Sequence, residues 1–412
     1  MAIQGLRDTS GFVTDQRPKN WREGILLLYP NGKLALTALT SLMKSKSTDD
    51  PEYSWWDKKL STRRLLLSAT IASTDTALAV TAFGTTSDGA KAVKEGDLLW
   101  SEKTGEIMRV MATPTSDTGI TVQRGFAGST AAAITPATTT DNPYLVVMGS
   151  AYEESSMAPT GVNFDPTKRF NYTQIFRNTL EMSRTASKTR LRTGDQVKEA
   201  KRETLELHGM DIERAFWFGK RTETTINGKI ARSCDGFLNV IDSGNIKTVT
   251  TDYPSGLTMT GLEEYMYNAF KFGSSEKVGF CGNRALLTLQ QVLRKNATWQ
   301  FMSGVKEYGM TVSRIISPFG EVVLKTHPLF NQMTGSGTAS TNYYGLESWL
   351  WIADMDNFVY RYMEGSDTQY QKDLGANDLD GMKSGYLTEA SIEIHHPVTH
   401  YLLKNLVKSA VG

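Results

Sequence analysis

Cysteine is nearly missing from this sequence. Two occur in 412 residues, which excludes the disulfide framework of a small secreted fold and fits a reducing, cytoplasmic place of folding. One of them, Cys281, lies in the apolar run 278–281 and reads as a small buried hydrophobe. Long hydrophobic runs are missing as well. Nothing approaches the roughly 18 consecutive apolar residues of a membrane span, and the opening residues, Met1-Ala2-Ile3-Gln4-Gly5-Leu6-Arg7-Asp8, hold no apolar core of signal-peptide length, so neither a membrane-embedded nor a secreted protein is expected. An excess of one charge is missing in turn. Lys and Arg number 45 against 44 Asp and Glu, so no whole-chain field exists to hold nucleic acid or an anionic membrane, and any DNA contact would be local.

Histidine is scarce, five in all, and three lie together as His395, His396 and His400 beside Glu393. On a strand His395 shares a face with Glu393 while His396 points the other way, and Pro397 blocks a helix that could align His396 with His400. The group reads as an exposed strand end rather than a metal site. His208 sits mid-helix near Glu206 and Asp211 without a second histidine at helical spacing, and reads as a surface or interface side chain. There is no zinc-protease histidine pair, no G-x-S-x-G elbow and no P-loop. The stretch Gly335-Ser336-Gly337-Thr338 lacks the third glycine and the strand-to-helix setting of a dinucleotide loop, and reads as a flexible connection. Neither cysteine has a fixed cationic neighbour; Lys277, four residues before Cys281, marks nothing alone. No catalytic, cofactor-binding or metal-binding residue is nominated, and the chain is not expected to be an enzyme.

What is present is a mixed α+β pattern without internal repeats. The length exceeds one usual core, and a single body with long excursions is favoured over two or three separate domains. Residues 1–50 read as an N-terminal arm with an apolar stretch at 25–29, the turn Pro30-Asn31-Gly32 and a helical piece at 34–44. Trp55 and Trp56 would point to opposite faces of a strand, so a thin ribbon cannot bury both. Residues 65–149 form a β-rich block with runs at 65–71, 78–83, 97–101, 106–112, 120–123 and 144–148, spaced as in a small barrel or sandwich. Residues 169–185 are rich in Phe, Tyr, Thr and Ile without helical period; extended, they reach ~55 Å. Paired with the tryptophan segment they would make a long two-stranded arm, marginal alone, whose aromatics call for a neighbouring subunit. A long helix of ~35 Å follows to about Phe218, with a capping box at Thr193 and Gln196.

Further on, residues 260–293 read as helix, strand and helix, opened by a capping box at Thr260 and Glu263, with Leu262, Tyr265, Met266, Ala269 and Phe270 on one buried face. Residues 310–316 and 321–327 flank Ser317-Pro318-Phe319-Gly320 as a hairpin. Residues 349–354, 357–362 and 391–395 complete a central sheet. Charge is uneven along the chain. Arg169, Arg177, Arg184, Lys188, Arg190 and Arg192 crowd the arm, and Glu364, Asp367, Asp373, Asp378 and Asp380 lie downstream, so basic arms are expected to meet acidic surfaces of neighbouring subunits.

The order of these parts carries a family likeness. Asn171-Tyr172-Thr173-Gln174-Ile175-Phe176-Arg177 before the long helix, then Phe216-Trp217-Phe218-Gly219-Lys220-Arg221, Asp235-Gly236-Phe237-Leu238, Phe280-Cys281-Gly282-Asn283-Arg284-Ala285-Leu286 and Ser317-Pro318-Phe319-Gly320 through His327-Pro328-Leu329 resemble major capsid proteins of short-tailed phages. The resemblance spans most of the chain from about Asp50. It implies a Hong Kong 97 type α+β fold with an N-terminal arm (1–50), an E loop (51–64 and 150–192), an inserted β-rich domain (65–149), a spine helix and peripheral domain (193–256), an axial domain (257–345) and return strands (346–412). Trp55, Trp56, Phe170, Tyr172, Phe176, Arg177 and Arg184 become the candidate inter-subunit contacts.

The resemblance also implies a shell of hexamers and pentamers enclosing double-stranded DNA without sequence-specific binding, in a virion assembled in the bacterial host cytoplasm, with a portal as partner and a decoration protein as a further candidate. No long charged helical pre-segment precedes the arm, so a separate scaffolding protein is expected. No cofactor is implied, and no Lys and Asn pair is marked for crosslinking. An encapsulin-like cellular nanocompartment shell with the same fold is the alternative.

Overall fold

Between Trp55 and Arg169 the burial of side chains alternates along short strands, as a sheet with one covered face requires. Met108 and Val110 are the buried members of Ile107–Val110, and Ile120 and Val122 those of Gly119–Gln123. The computed structural model describes residues 43–58, 61–84, 87–135, 143–189, 195–295, 301–307, 310–332, 345–376, 378 and 380–406. They fall into two units, Trp55–Arg169 and the remainder.

In the unit Trp55–Arg169, six strands pair in the order Arg64–Leu66, Tyr144–Ser150, Asp97–Ser101, Ile107–Val110, Gly119–Gln123, Ala77–Ala79. A bridge between Leu67 and Val80 joins the two ends of this order, with Thr81 N donating to Leu66 O at 2.8 Å. The sheet therefore closes on itself around Leu65, Leu99, Met108, Val122, Leu145 and their neighbours. One buried ion pair pins the bottom of this core. Arg124 donates to both Glu106 carboxylate oxygens at 2.7 Å and to the carbonyls of Ala72 and Ala132 at 2.6 Å, while Gly125 N and Ala132 N donate to Glu106. Burial pushes the Glu106 carboxyl up, but these hydrogen bonds outweigh it and hold the group below its usual range.

The remaining unit carries two main sheets. Seven strands run in the order Ile246–Thr248, Tyr401–Lys404, Leu350–Ala353, Glu276–Cys281, Gly320–Thr326, Met310–Ser317, Phe301–Glu307. The five-stranded sheet runs Lys44–Thr48, Phe358–Met363, Gly381–Ile394, Gln174–Ser183, with Gln369–Gln371 also on Gly381–Ile394. Residues 349–354 and 357–362, expected in one central sheet, therefore belong to different sheets, because the chain crosses between them over Met355–Asn357.

The central strands of the seven-stranded sheet are buried on both faces, and period-2 alternation assigns each. Leu350, Ile352 and Leu403 face the helices Met259–Ala269 and Asn283–Lys295, whereas Trp351, Ala353 and Leu402 face the long helix Gln196–Phe218 and the second sheet. At the centre of the second interface Trp217 has Phe237, Phe280, Phe330 and Trp351 within 5.5 Å between ring centroids. Gly219 and Gly236 meet just beyond it, Gly236 N donating to Gly219 O at 2.9 Å. A Cβ on Gly236 would sit 2.6 Å from Gly219 N, so only glycine permits this approach.

Both helix starts lie beside the expected caps. The long helix is capped by Asp195, whose carboxylate accepts from Val197 N and Lys198 N, and Thr193 lies outside the described residues. The next is capped by Thr258, accepting from Gly261 N, rather than by Thr260. Each time a neighbouring residue of equal capping chemistry competes. Lys277 is buried, its ammonium donating to Ala269 O, Phe272 O and Thr399 O at 2.6–2.8 Å, which caps the end of Met259–Ala269. The expected helical piece at 34–44 is described only from Met43, and Lys44–Thr48 is a strand parallel to Phe358–Met363. The rest of that piece and Gly335–Thr338 lie outside the described residues.

Candidate assembly surface

Glu52–Asp57 and Thr167–Tyr172 pair as a two-stranded ribbon. Alternation along Glu52–Asp57 sends Tyr53 inward, and its hydroxyl donates to Ile392 O at 2.7 Å and lies 2.9 Å from Ser391 Oγ. Burial holds that phenol protonated, well above its ordinary range. Trp55 is half-buried and Trp56, on the opposite face, is 63% exposed. On the other strand Asn171 is buried. Its amide donates to Ile392 O and Asp235 O, and its Oδ1 accepts from Tyr172 N and Asp235 N. Phe170 and Tyr172 stack edge-on at 5.7 Å. The Arg221 guanidinium lies 4.0 Å over Phe170, and that of Arg232 5.9 Å over Tyr172.

The expected arm ends sooner than the sequence suggests. Gln174–Ser183 is extended, but its partner is Gly381–Ile394 of the same chain, in register from Gln174 opposite Ala390 to Ser183 opposite Gly381. A long strand already in the chain wins over a lone hairpin because pairing with it covers one face, leaving Phe176 buried and Gln174, Asn178, Leu180 and Met182 partly buried. Phe176 is accordingly 7% exposed and packs edge-on to Phe216 at 6.4 Å, so it is a core residue of its own subunit and leaves the list of contact candidates. Arg177, one residue on, is exposed. Arg184 pairs with Asp380 of the same chain at 2.8 Å, both largely exposed, so at this position the basic arm meets the acidic segment within one subunit.

Two histidines expected at the surface are buried. His208 has Nδ1 2.8 Å from Asn178 Oδ1 and Nε2 2.8 Å from Thr388 Oγ1, tying the long helix to both long strands. Burial lowers its pKa below the ordinary value. The Asn178 amide, fixed by donation to Asp211, accepts from Nδ1–H, which leaves Nε2 to accept from Thr388. His400 is also buried, between Asp354 and the His395 backbone. Glu393 takes Arg361 and His395 at 2.5 Å each, so the three clustered histidines do not converge on a common point. Among the described residues no group of His, Cys, Asp and Glu is arranged to hold a metal ion, and no helix is long and apolar enough to cross a membrane. Burial pushes both thiols, Cys234 and Cys281, up to about 12.

Sequence reasoning missed Tyr53, Asn171 and His208 as the anchors of this surface. Asn171 stood in a recognised motif, but the partners of all three lie far along the chain.

A major capsid protein of Pseudomonas phage PaMx41 is 27% identical over 336 residues, covering 79% of this chain and 77% of that protein. Among solved structures, the capsid of an empty GTA particle aligns with a TM-score of 0.48 at 9% identity over 94% of each chain. The holo-SrpI encapsulin complex of Synechococcus elongatus PCC 7942 aligns with a TM-score of 0.41 at 12% identity, over 60% of this chain and 78% of that one. The family pattern of the SU10 major capsid protein runs through residues 8–407, and the chain belongs to that family.

Proposed function

We propose that this major capsid protein assembles, as hexamers and pentamers of itself, into an icosahedral head shell of Hong Kong 97 type that encloses double-stranded DNA without reading its sequence, and that it performs no catalysis. The observation that carries the reading is the split between the two faces of the ribbon. Tyr53 and Asn171 anchor one face by hydrogen bonds, while Trp56 stands 63% exposed on the other. A large exposed aromatic is the kind of anchor that interfaces use. Trp55, Trp56, Phe170, Tyr172, Arg177 and Arg184 form the proposed contact set, with Glu52–Asp57 and Thr167–Tyr172 as the paired part of the E loop.

In this reading the long helix is the spine, the Trp55–Arg169 unit is inserted into the E loop, and a portal and a separate scaffolding protein complete assembly in the host cytoplasm. The viral family match over residues 8–407 favours a virion over a cellular compartment. Negative-stain microscopy of the protein co-expressed with its scaffolding protein tests it: closed shells are expected, and monomers alone would sink the reading.

A further inference from the structure

Just beyond the long helix the chain forms a hairpin, Thr222–Ile226 with Lys229–Ser233, that pairs with no other strand among the described residues. It turns on Asn227 and Gly228, both at positive φ (51° and 75°), as a two-residue hairpin loop of this hand requires. Its base is fixed. Ser233 Oγ donates to Lys220 O at 2.6 Å, and Arg232 pairs with Glu223 at 2.7 Å. Its tip is bare. Every residue of Thr222–Ile226 is exposed, and Ile226 and Ile230 are 57% and 59% exposed. Pairing sets Ile226 opposite Lys229 and Ile230 opposite Thr225, so the two isoleucines lie on opposite faces. A lone two-stranded hairpin is marginal in water, and β-branched residues favour a packed sheet surface over a solvated one.

The occupant is indicated by charge. Residues 220–233 hold four basic side chains and one acidic, with Lys220 and Lys229 exposed. Residues 364–380 hold five acidic side chains and one basic, and Glu364, Asp367, Asp373, Asp378 and Asp380 are all exposed. Within the chain Asp380 takes Arg184 and Asp367 takes the Tyr360 hydroxyl.

We propose that the 222–233 hairpin of one subunit docks on the acidic segment 364–380 of a second copy of this chain. Ile226, on the same face as Lys229, supplies the apolar burial, and Lys220 and Lys229 against the carboxylates set orientation and encounter rate. This contact rests on the shell-subunit reading and adds to it a named pair of surfaces.

The test is a charge swap read by sedimentation of assembled particles. Lys220→Glu with Lys229→Glu, both on exposed positions, should leave the monomer's melting temperature unchanged and lower particle yield at least tenfold. Adding Glu364→Lys with Asp378→Lys should restore most of that yield. Wild-type yield in the first variant, or no recovery in the combined one, overturns the contact. A wild-type chain that forms no particles at all sinks the shell-subunit reading itself, a separate and distinguishable failure.

Discussion

The backbone N–H of Asp354 donates to His400 Nδ1 at 3.3 Å, which leaves Nε2 as the protonated nitrogen, 3.2 Å from the His395 carbonyl. A second proton would put a donor against a donor inside a fully buried site. Burial accordingly lowers the His400 pKa to about 3, with the nearby Lys277 adding to the effect.

Acid sensitivity follows from that pair. Because the folded pKa lies below the unfolded one, the unfolded state takes up the proton first, and stability is lost as pH falls below about 6.5. His208 shifts in the same direction, and Glu106 and Glu393, both held low, join below about 4.5. The His400 contribution alone reaches on the order of 5 kcal/mol by pH 3. Urea unfolding midpoints between pH 7 and pH 4.5 should fall for the wild type and fall less for His400→Phe. Equal slopes would remove His400 as the source.

Arg124→Ala should destabilise the Trp55–Arg169 unit by about 3–5 kcal/mol, because it strands the buried Glu106 carboxylate. Replacing both partners with apolar residues, Glu106→Leu with Arg124→Met, should cost less than the single change. Thermal melts of the full chain, read at a probe in this unit, give the comparison.

The two faces of the ribbon should separate stability from assembly. Tyr53→Phe removes a hydroxyl that Ile392 O accepts from, and should cost about 1–2 kcal/mol by chemical denaturation. Trp56→Ser should leave the denaturation midpoint within about 0.5 kcal/mol of wild type while reducing shell yield. A Trp56 variant that assembles normally would exclude that side chain from the contact set.

Neither Arg184 nor Arg177 should carry the stability of the monomer. The Arg184 pair with Asp380 is exposed, so Arg184→Glu should change folding by no more than about 1 kcal/mol. Arg177→Glu should leave the monomer's stability unchanged and lower particle yield, which sedimentation of the assembly mixture reads directly.

Much of the strand pattern was legible because alternation is local. The run at 97–101 coincides with Asp97–Ser101, and those at 106–112 and 120–123 lie within a few residues of Ile107–Val110 and Gly119–Gln123. Gly381–Ile394 shows the opposite case. Only its last residues were legible, since its first half, Gly381-Met382-Lys383-Ser384-Gly385, carries two glycines and little hydrophobic pattern, and what makes it a strand is Gln174–Ser183 two hundred residues away. The same distance hid the site. Nothing near His208 or His400 in sequence announces Thr388 or Asp354, so both rings read as surface groups. Phe176 looked like a neighbour's contact for want of any local sign of Phe216.

The bridge between Leu67 and Val80 bears on crowding. A sheet that meets its own far edge leaves, among the described residues, fewer unpaired N–H and C=O groups along which another chain could add a strand. In a shell, identical copies of the Trp55–Arg169 unit would stand at very high local concentration, the condition under which open edges exchange strands or aggregate. Closure lets this unit stand among its copies with less of that hazard.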